Sequence, residues 1–166
     1  MHTNSLHLCR QFHARVLEHH ANLPKTILDV GSYNVNGTYR PIWKGWDYTG
    51  VDIAEGPNVD QVVPGTADWD LGKQFGVVIS GQCLEHCEDP FKLTETMAKH
   101  VMPGGLLWLI APFMFFEHRH PIDCWRFLPD GMRILMKRAG IRCLDSQISA
   151  FHAKKSDCWA LGIKDV

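Results

Sequence analysis

Between Phe113 and Phe127 the chain gathers side chains suited to chemistry: Phe113-Met-Phe-Phe-Glu117-His118-Arg119-His120-Pro121-Ile-Asp123-Cys124-Trp125-Arg126-Phe127. Histidine titrates near neutral pH, so His120 or His118 is suited to general-base work. Asp123 is placed to orient such an imidazole. Arg126 is placed to hold an anionic group such as a carboxylate or phosphate. These four are the candidate catalytic residues, and plainer readings stand beside them. Trp125 and Phe127 are core residue types first and stacking platforms second. Arg126 is equally suited to an internal ion pair with Asp123 or Glu117. His118 and His120, with Asp123 or Cys124, are zinc-ligand types. Two histidines two residues apart on a loop define no coordination set, and Cys83 and Cys87 add little, so no metal is expected.

A second group surrounds a glycine turn. Thr26 to Gly31 is a short apolar run that delivers Asp29 and Gly31 to a turn containing Ser32, Asn34, Asn36 and Gly37. Glycine lets a ligand approach the backbone closely, and asparagine tolerates turn conformations. Asp52 ends the next strand, roughly 20 residues further on, where a carboxylate can accept hydrogen bonds from both hydroxyls of a ribose. That pair serves NAD and S-adenosylmethionine alike. The missing third glycine argues against a dinucleotide fingerprint.

Those residues need elements to position them. Leu6 to Ala21 reads as a helix, followed by the strand at 26–31 and a short helix over 37–43. Further strands are expected at 48–53, 59–63, 75–80 and 106–111. Between them Asp89 caps a helix over 90–101, with Pro90 as its first residue. Pro103-Gly104-Gly105 reads as a turn. A helix over 129–139 ends at Gly140, and strands at 141–148 and 158–164 suggest a hairpin. Alternating strands and helices imply an α/β fold. The expectation is a Rossmann-like, doubly wound, mostly parallel sheet with helices on both faces and an antiparallel C-terminal edge strand. In such sheets ligands bind beyond the carboxyl ends of the strands, after Val30, Ile53, Ile79 and Ile110.

The order and content of these motifs resemble class I S-adenosylmethionine-dependent methyltransferases, in a type 11-like branch. Asp29-Val-Gly31-Ser32-Tyr-Asn-Val-Asn36-Gly37 resembles the first motif, and Gly50-Val51-Asp52-Ile53 the second. Phe75-Gly-Val-Val-Ile79-Ser80-Gly-Gln-Cys-Leu84-Glu85-His86 resembles the branch's fourth-strand motif. Pro103-Gly104-Gly105 matches its fifth-strand signature, and the segment from His118 or His120 to Phe127 its H-x-x-P-x-D-x-W-R-F stretch. The resemblance implies S-adenosylmethionine as cofactor. It implies the methionine moiety near Gly31 and Ser32, the ribose on Asp52, the adenine beside Ile53, and its amino group near Asp68, before Trp69. It also implies Ser80, Gly81 and Gln82 along the sulfonium wall. Two positions depart from the pattern: Tyr33 replaces the usual glycine, and Gly76 the usual aspartate, which would matter if that carboxylate orders the site. Asp29 and Asp52 as ordinary strand-end carboxylates, Asp68 as a helix cap and His86 as a loop-packing residue are the plainer readings.

Methyl transfer to a small-molecule or sugar-like acceptor, at oxygen or nitrogen, is the leading expectation. A catalytically weak or inactive cofactor-binding partner subunit is the alternative, and an NAD-dependent enzyme the third. Ser80-Gly81-Gln82-Cys83 stands where amine methylases of nucleic-acid bases carry an Asp/Asn-Pro-Pro-aromatic tetrad. With a net charge of -1 over 166 residues and no basic patch, no nucleic-acid partner is expected. No apolar run reaches the roughly 20 residues of a membrane span, and no signal peptide is evident. The six dispersed cysteines read as reduced, mostly buried thiols of a cytoplasmic protein. Residues 1–166 are expected to form one domain: an N-terminal helix (1–22), a cofactor-binding core (26–112), an acceptor-side loop (113–127), and a C-terminal helix and strands (128–166). Covering the acceptor falls to the first helix and the 113–127 loop, or to a second subunit, which leaves a homo-oligomer open.

Overall fold

A computed structural model of the chain describes residues 3–65, 68–152 and 155–166. Seven strands form one sheet in the order β3-β2-β1-β4-β5-β7-β6. They are β1 (Thr26–Val30), β2 (Asp47–Asp52), β3 (Gln61–Val62), β4 (Phe75–Gly81), β5 (Val101–Met114), β6 (Arg142–His152) and β7 (Lys155–Ile163). The first five pair in parallel. β7 runs antiparallel to both β5 and β6. Helix α1 (Thr3–His19) covers one face, and α2 (Pro90–Lys99) and α3 (Pro129–Arg138) cover the other. The sheet is therefore the expected Rossmann-like arrangement.

Period-two alternation sorts the strand side chains between the two layers. Leu28, Val78, Leu107 and Leu109 pack with Leu93 and Met97 of α2 and Leu135 and Met136 of α3. Ile27, Val77, Ile79, Trp108 and Ile110 pack with Leu8, Phe12 and Val16 of α1. Phe12 stacks on Trp108 with ring centroids 5.4 Å apart. Every residue of β4 is buried, which explains its continuous apolar run. Asp89 caps α2 by accepting from the Lys92 amide at 2.9 Å.

Several boundaries differ from the sequence reading. α1 starts at Thr3, because Asn4 and Ser5 are buried on its inner face. The 37–43 helix is only a 3-10 turn, Arg40–Trp43, and the third strand shrinks to two residues. Pro103-Gly104-Gly105 lies inside β5 as a bulge: the pairing jumps from Phe75↔Val101 to Val77↔Leu106. Gly104 takes a φ of 76° there, and its amide donates to the Lys164 carbonyl at 2.7 Å. Among the cysteines Cys9, Cys87 and Cys158 are buried, whereas Cys83 and Cys143 are half-buried and Cys124 is exposed. Fewer thiols are buried than expected.

Gly76 sits at the amino end of β4, about 16 Å along the strand from Gly81. Its amide donates to Thr26 Oγ1 at 2.9 Å. A Cβ there would stand 2.3 Å from the Pro24 carbonyl oxygen. The glycine thus serves strand packing at the far end of the sheet. Gly76→Asp is expected to lower stability by about 1–3 kcal/mol or more, because rigid backbone must move. Denaturant unfolding would register this as a lower midpoint.

Candidate active site

In this sheet the strand order reverses between β1 and β4, and a crevice opens beyond their carboxyl ends. A cavity of about 540 Å³ occupies that place, within the range of small-molecule sites. Its floor begins at Gly31. The Gly31 and Ser32 amides both donate to the Val51 carbonyl, at 2.9 and 3.0 Å, so the chain turns across β2 as it leaves β1. Gly31 has a φ of 80°, and a Cβ on it would lie 2.5 Å from Cys83 Cβ and Sγ. Only glycine fits against the β4 loop there.

Asp52 organises the adjoining wall. Its carboxylate accepts from the Tyr33 amide at 2.9 Å and from the Ile53 amide at 2.8 Å. The Ala54 amide adds a longer contact, 3.4 Å, to the oxygen that Ile53 holds, so the spare acceptor capacity lies on the oxygen that Tyr33 holds. Tyr33 lies against Gly56, where a Cβ would meet its ring at 2.2 Å. The departure at Tyr33 therefore gives this turn a wall instead of a glycine. Asn34 closes the loop by accepting from the Gly37 amide at 2.7 Å. Asn58 fastens it from the far side, donating to the Ser32 carbonyl at 2.8 Å and accepting from Arg40 Nε at 2.7 Å.

Of the sequence-chosen cofactor residues, Gly31, Asn36, Gly37, Asp52 and Ile53 line the cavity, as do Trp69, Gly81 and Gln82. Asp29, Ser32, Asp68 and Ser80 stand outside its lining. Asp29 is buried on the α1 side, where it accepts from the Tyr48 hydroxyl. Ser32 Oγ donates to the Asn58 carbonyl at 3.1 Å. Ser80 Oγ donates to the Val30 carbonyl at 2.8 Å, tying β4 to β1. Asp68 is exposed and paired with Lys92 and Lys99, whose hydrogen bonds hold its carboxyl down at about 2. Gln82 turns its amide nitrogen to Asp157 of β7 at 3.0 Å.

The opposite wall is the 113–127 segment laid over the 3-10 turn Leu84–His86. The Cys124 amide donates to the Glu85 carbonyl at 2.7 Å, and Trp125 Nε1 to the Cys87 carbonyl at 2.7 Å. His118 and His120 line the cavity together with His86. Asp123 and Arg126 do not. Asp123 receives both terminal nitrogens of Arg126, at 2.6 and 2.8 Å. It also accepts from the His118 amide at 2.7 Å and stands 3.4 Å from His118 Nδ1. The Arg126 hydrogen bond holds the Asp123 carboxyl well below the usual range. Arg126 donates further to the carbonyls of Phe115, Phe116 and Trp125. Its guanidinium is committed to the loop's own backbone, so the internal ion pair describes it. Phe127 is buried.

Sequence reasoning assigned no site role to Cys83, Cys87 or the Tyr33 ring, all of which line the cavity. His86, read as a packing residue, lines it too. The common signal of Cys83, His86 and Cys87 is the turn that follows β4, whereas Tyr33 lies on the turn after β1. Burial pushes the Cys83 thiol up, so it is no nucleophile at neutral pH. Glu85 is fully buried, and among the described residues neither carboxylate oxygen has a hydrogen-bond partner. Burial raises its carboxyl to about 8.

Burial also raises Asp29, to about 7, against the opposing effect of the Tyr48 hydrogen bond. An unfolded aspartate titrates near 3.9. Between about pH 4 and 7 the native state keeps a proton that the unfolded state has released, so this group makes stability fall as pH rises. Asp29→Asn removes that contribution. In denaturant unfolding at several pH values, the variant should gain on the wild type by up to roughly 1.4 kcal/mol per pH unit across that window. Parallel pH profiles would contradict the assignment.

The chain matches the methyltransferase domain family over residues 1–145. Among curated proteins none matches in sequence. Similar folds are found among solved structures at low identity. The Burkholderia thailandensis 1,6-didemethyltoxoflavin-N1-methyltransferase, solved with 1,6-didemethyltoxoflavin and S-adenosylhomocysteine, is 17% identical with a TM-score of 0.69, covering 95% of this chain and 79% of that one. An amino pentose methyltransferase of Micromonospora echinaspora, solved with S-adenosylmethionine, is 13% identical with a TM-score of 0.65, covering 94% and 89%. The cyclase SpnF is 13% identical with a TM-score of 0.69, covering 95% and 82%.

Proposed function

Since the chain belongs to the methyltransferase domain family, we propose that its crevice binds S-adenosylmethionine and passes the methyl group to a small-molecule or sugar-like acceptor, at oxygen or nitrogen. The observation that carries this reading is the placement of Asp52. Its carboxylate lies on the cavity wall, held by the Tyr33 and Ile53 amides beside the crowded Gly31 turn. Ribose hydroxyls take the remaining lone pairs, Ile53 and Trp69 flank the adenine, and the backbone from Gly31 to Gly37 follows the methionine moiety. Gly81 and Gln82 face the sulfonium. Asp29, Ser32, Asp68 and Ser80 support this cradle from outside the lining or serve other contacts.

The sulfonium is an activated donor, so the protein must mainly align the acceptor and exclude water. The wall bearing His118 and His120 meets that need. His120 is the group we assign as general base for a hydroxyl acceptor, with His118 beside it at a ring separation of 6.2 Å. Asp123 positions His118 through its amide and ring, and Arg126 positions Asp123. A crevice of about 540 Å³ supports a small-molecule acceptor. The Burkholderia and Micromonospora enzymes, whose names specify small acceptors, support that scale.

The test is release of S-adenosylhomocysteine from S-adenosylmethionine with hydroxylated sugars, amino sugars and heteroaromatic amines as acceptor classes. One class should support turnover. On an oxygen acceptor His120→Ala should lower kcat by roughly 100- to 10,000-fold. Unchanged turnover in that variant would remove the base assignment. Cofactor binding without turnover on any class would contradict methyl transfer.

A further inference from the structure

Glu85 presents a problem that the methyl-transfer reading does not solve. It is fully buried, and among the described residues neither carboxylate oxygen has a hydrogen-bond partner. A buried carboxylate is costly unless a proton or a cation compensates it. Arg126, whose hydrogen bonds go to Asp123 and the loop carbonyls, acts on it only electrostatically, and an imidazole lies beside it. His86 Nδ1 lies 2.6 Å from the Ile122 carbonyl oxygen. A carbonyl only accepts, so Nδ1 carries the hydrogen and Nε2 carries a lone pair. That Nε2 stands 3.7 Å from Glu85 Oε1. When Glu85 is ionised, two acceptors face each other in a buried corner, too far apart for a hydrogen bond to join them.

His118 completes the group. Glu85, His86 and His118 each offer one ligand atom, and the three atoms lie within 4.8 Å of one another. Ligands about 2.1 Å from a tetrahedral ion are separated by about 3.4 Å, so a small inward movement gathers these three around one centre. The outer partners are those of ligating histidines. His86 leans on the Ile122 carbonyl, and His118 Nδ1 lies 3.2 Å from the Phe116 carbonyl and 3.4 Å from the Asp123 carboxylate. His120 stands at the edge, its ring 5.5 Å from that of His86.

We propose that Glu85, His86 and His118 form a binding site for a divalent first-row cation of the Zn²⁺, Co²⁺ or Mn²⁺ class. Two imidazoles and one carboxylate are the donor set of borderline ions. Three protein ligands leave positions open, and His86 and His118 line the cavity, so those positions face the acceptor side. An acceptor oxygen or nitrogen, or water, fills them. This site concerns the chain's own side chains and is read without cofactor or acceptor. It stands or falls separately from methyl transfer.

The test is titration of the chelator-treated, desalted protein with Co²⁺, followed by visible absorption, and with Zn²⁺ and Mn²⁺ by calorimetry. One ion per chain should bind, with ligand-field bands in the Co²⁺ form. Glu85→Gln and His118→Ala should each weaken binding by more than the roughly 10- to 100-fold that loss of an outer partner causes. His20→Ala, which alters a histidine outside the cluster, should leave binding unchanged. Circular dichroism would show that each variant is folded. Failure of all three ions to bind the wild type would overturn the proposal and leave a proton as the compensating charge of Glu85. Equal binding by folded Glu85→Gln would overturn it as well.

Discussion

The carboxyl ends of β1 and β4 approach so closely that only a glycine fits between them, and the site follows from that constraint. Gly31 faces Cys83 with no room for a Cβ. The two loops must then diverge, one across β2 and the other toward β5. Their divergence is the crevice. The sheet needs both faces buried to hold the strands in this register, which α1 accomplishes on one side and α2 with α3 on the other. Packing far from the cavity therefore fixes the distance across it.

The two walls are held by different physics. The cofactor-side loop is fastened by backbone amides and amide side chains, with Asp52 and Asn58 as hubs. The acceptor-side loop is fastened by a charged pair, Asp123 with Arg126, whose donors also gather three loop carbonyls. A charge-assisted, bidentate pair is a strong anchor when it is shielded. It holds in place a segment with no regular structure of its own, so that histidines rather than loose chain face the cavity.

Much of this was legible in the sequence because strand periodicity and turn chemistry are local. The sheet, its antiparallel hairpin, the Asp89 cap and the glycine turn all follow from short windows. What was not legible depends on which face a strand side chain takes or on partners far along the chain. Asp29 ends a strand at the crevice, yet alternation sends it to the α1 layer, where Tyr48 meets it. Asp68 looked available for a ligand, but Lys92 and Lys99 of a helix more than 20 residues later take it. Gly76 looked like a lost carboxylate and is instead a close contact with Pro24. Arg126 left two readings open. The structure decides for the internal pair because five donors find acceptors within the loop.

The account's central claim is that the crevice is an adenosyl site, and direct binding tests it most simply. Calorimetric titration of the protein with S-adenosylmethionine, S-adenosylhomocysteine and NAD should show micromolar binding of both adenosyl ligands and none of the dinucleotide. Absence of binding by both adenosyl ligands would contradict the account and leave the fold without its assigned chemistry.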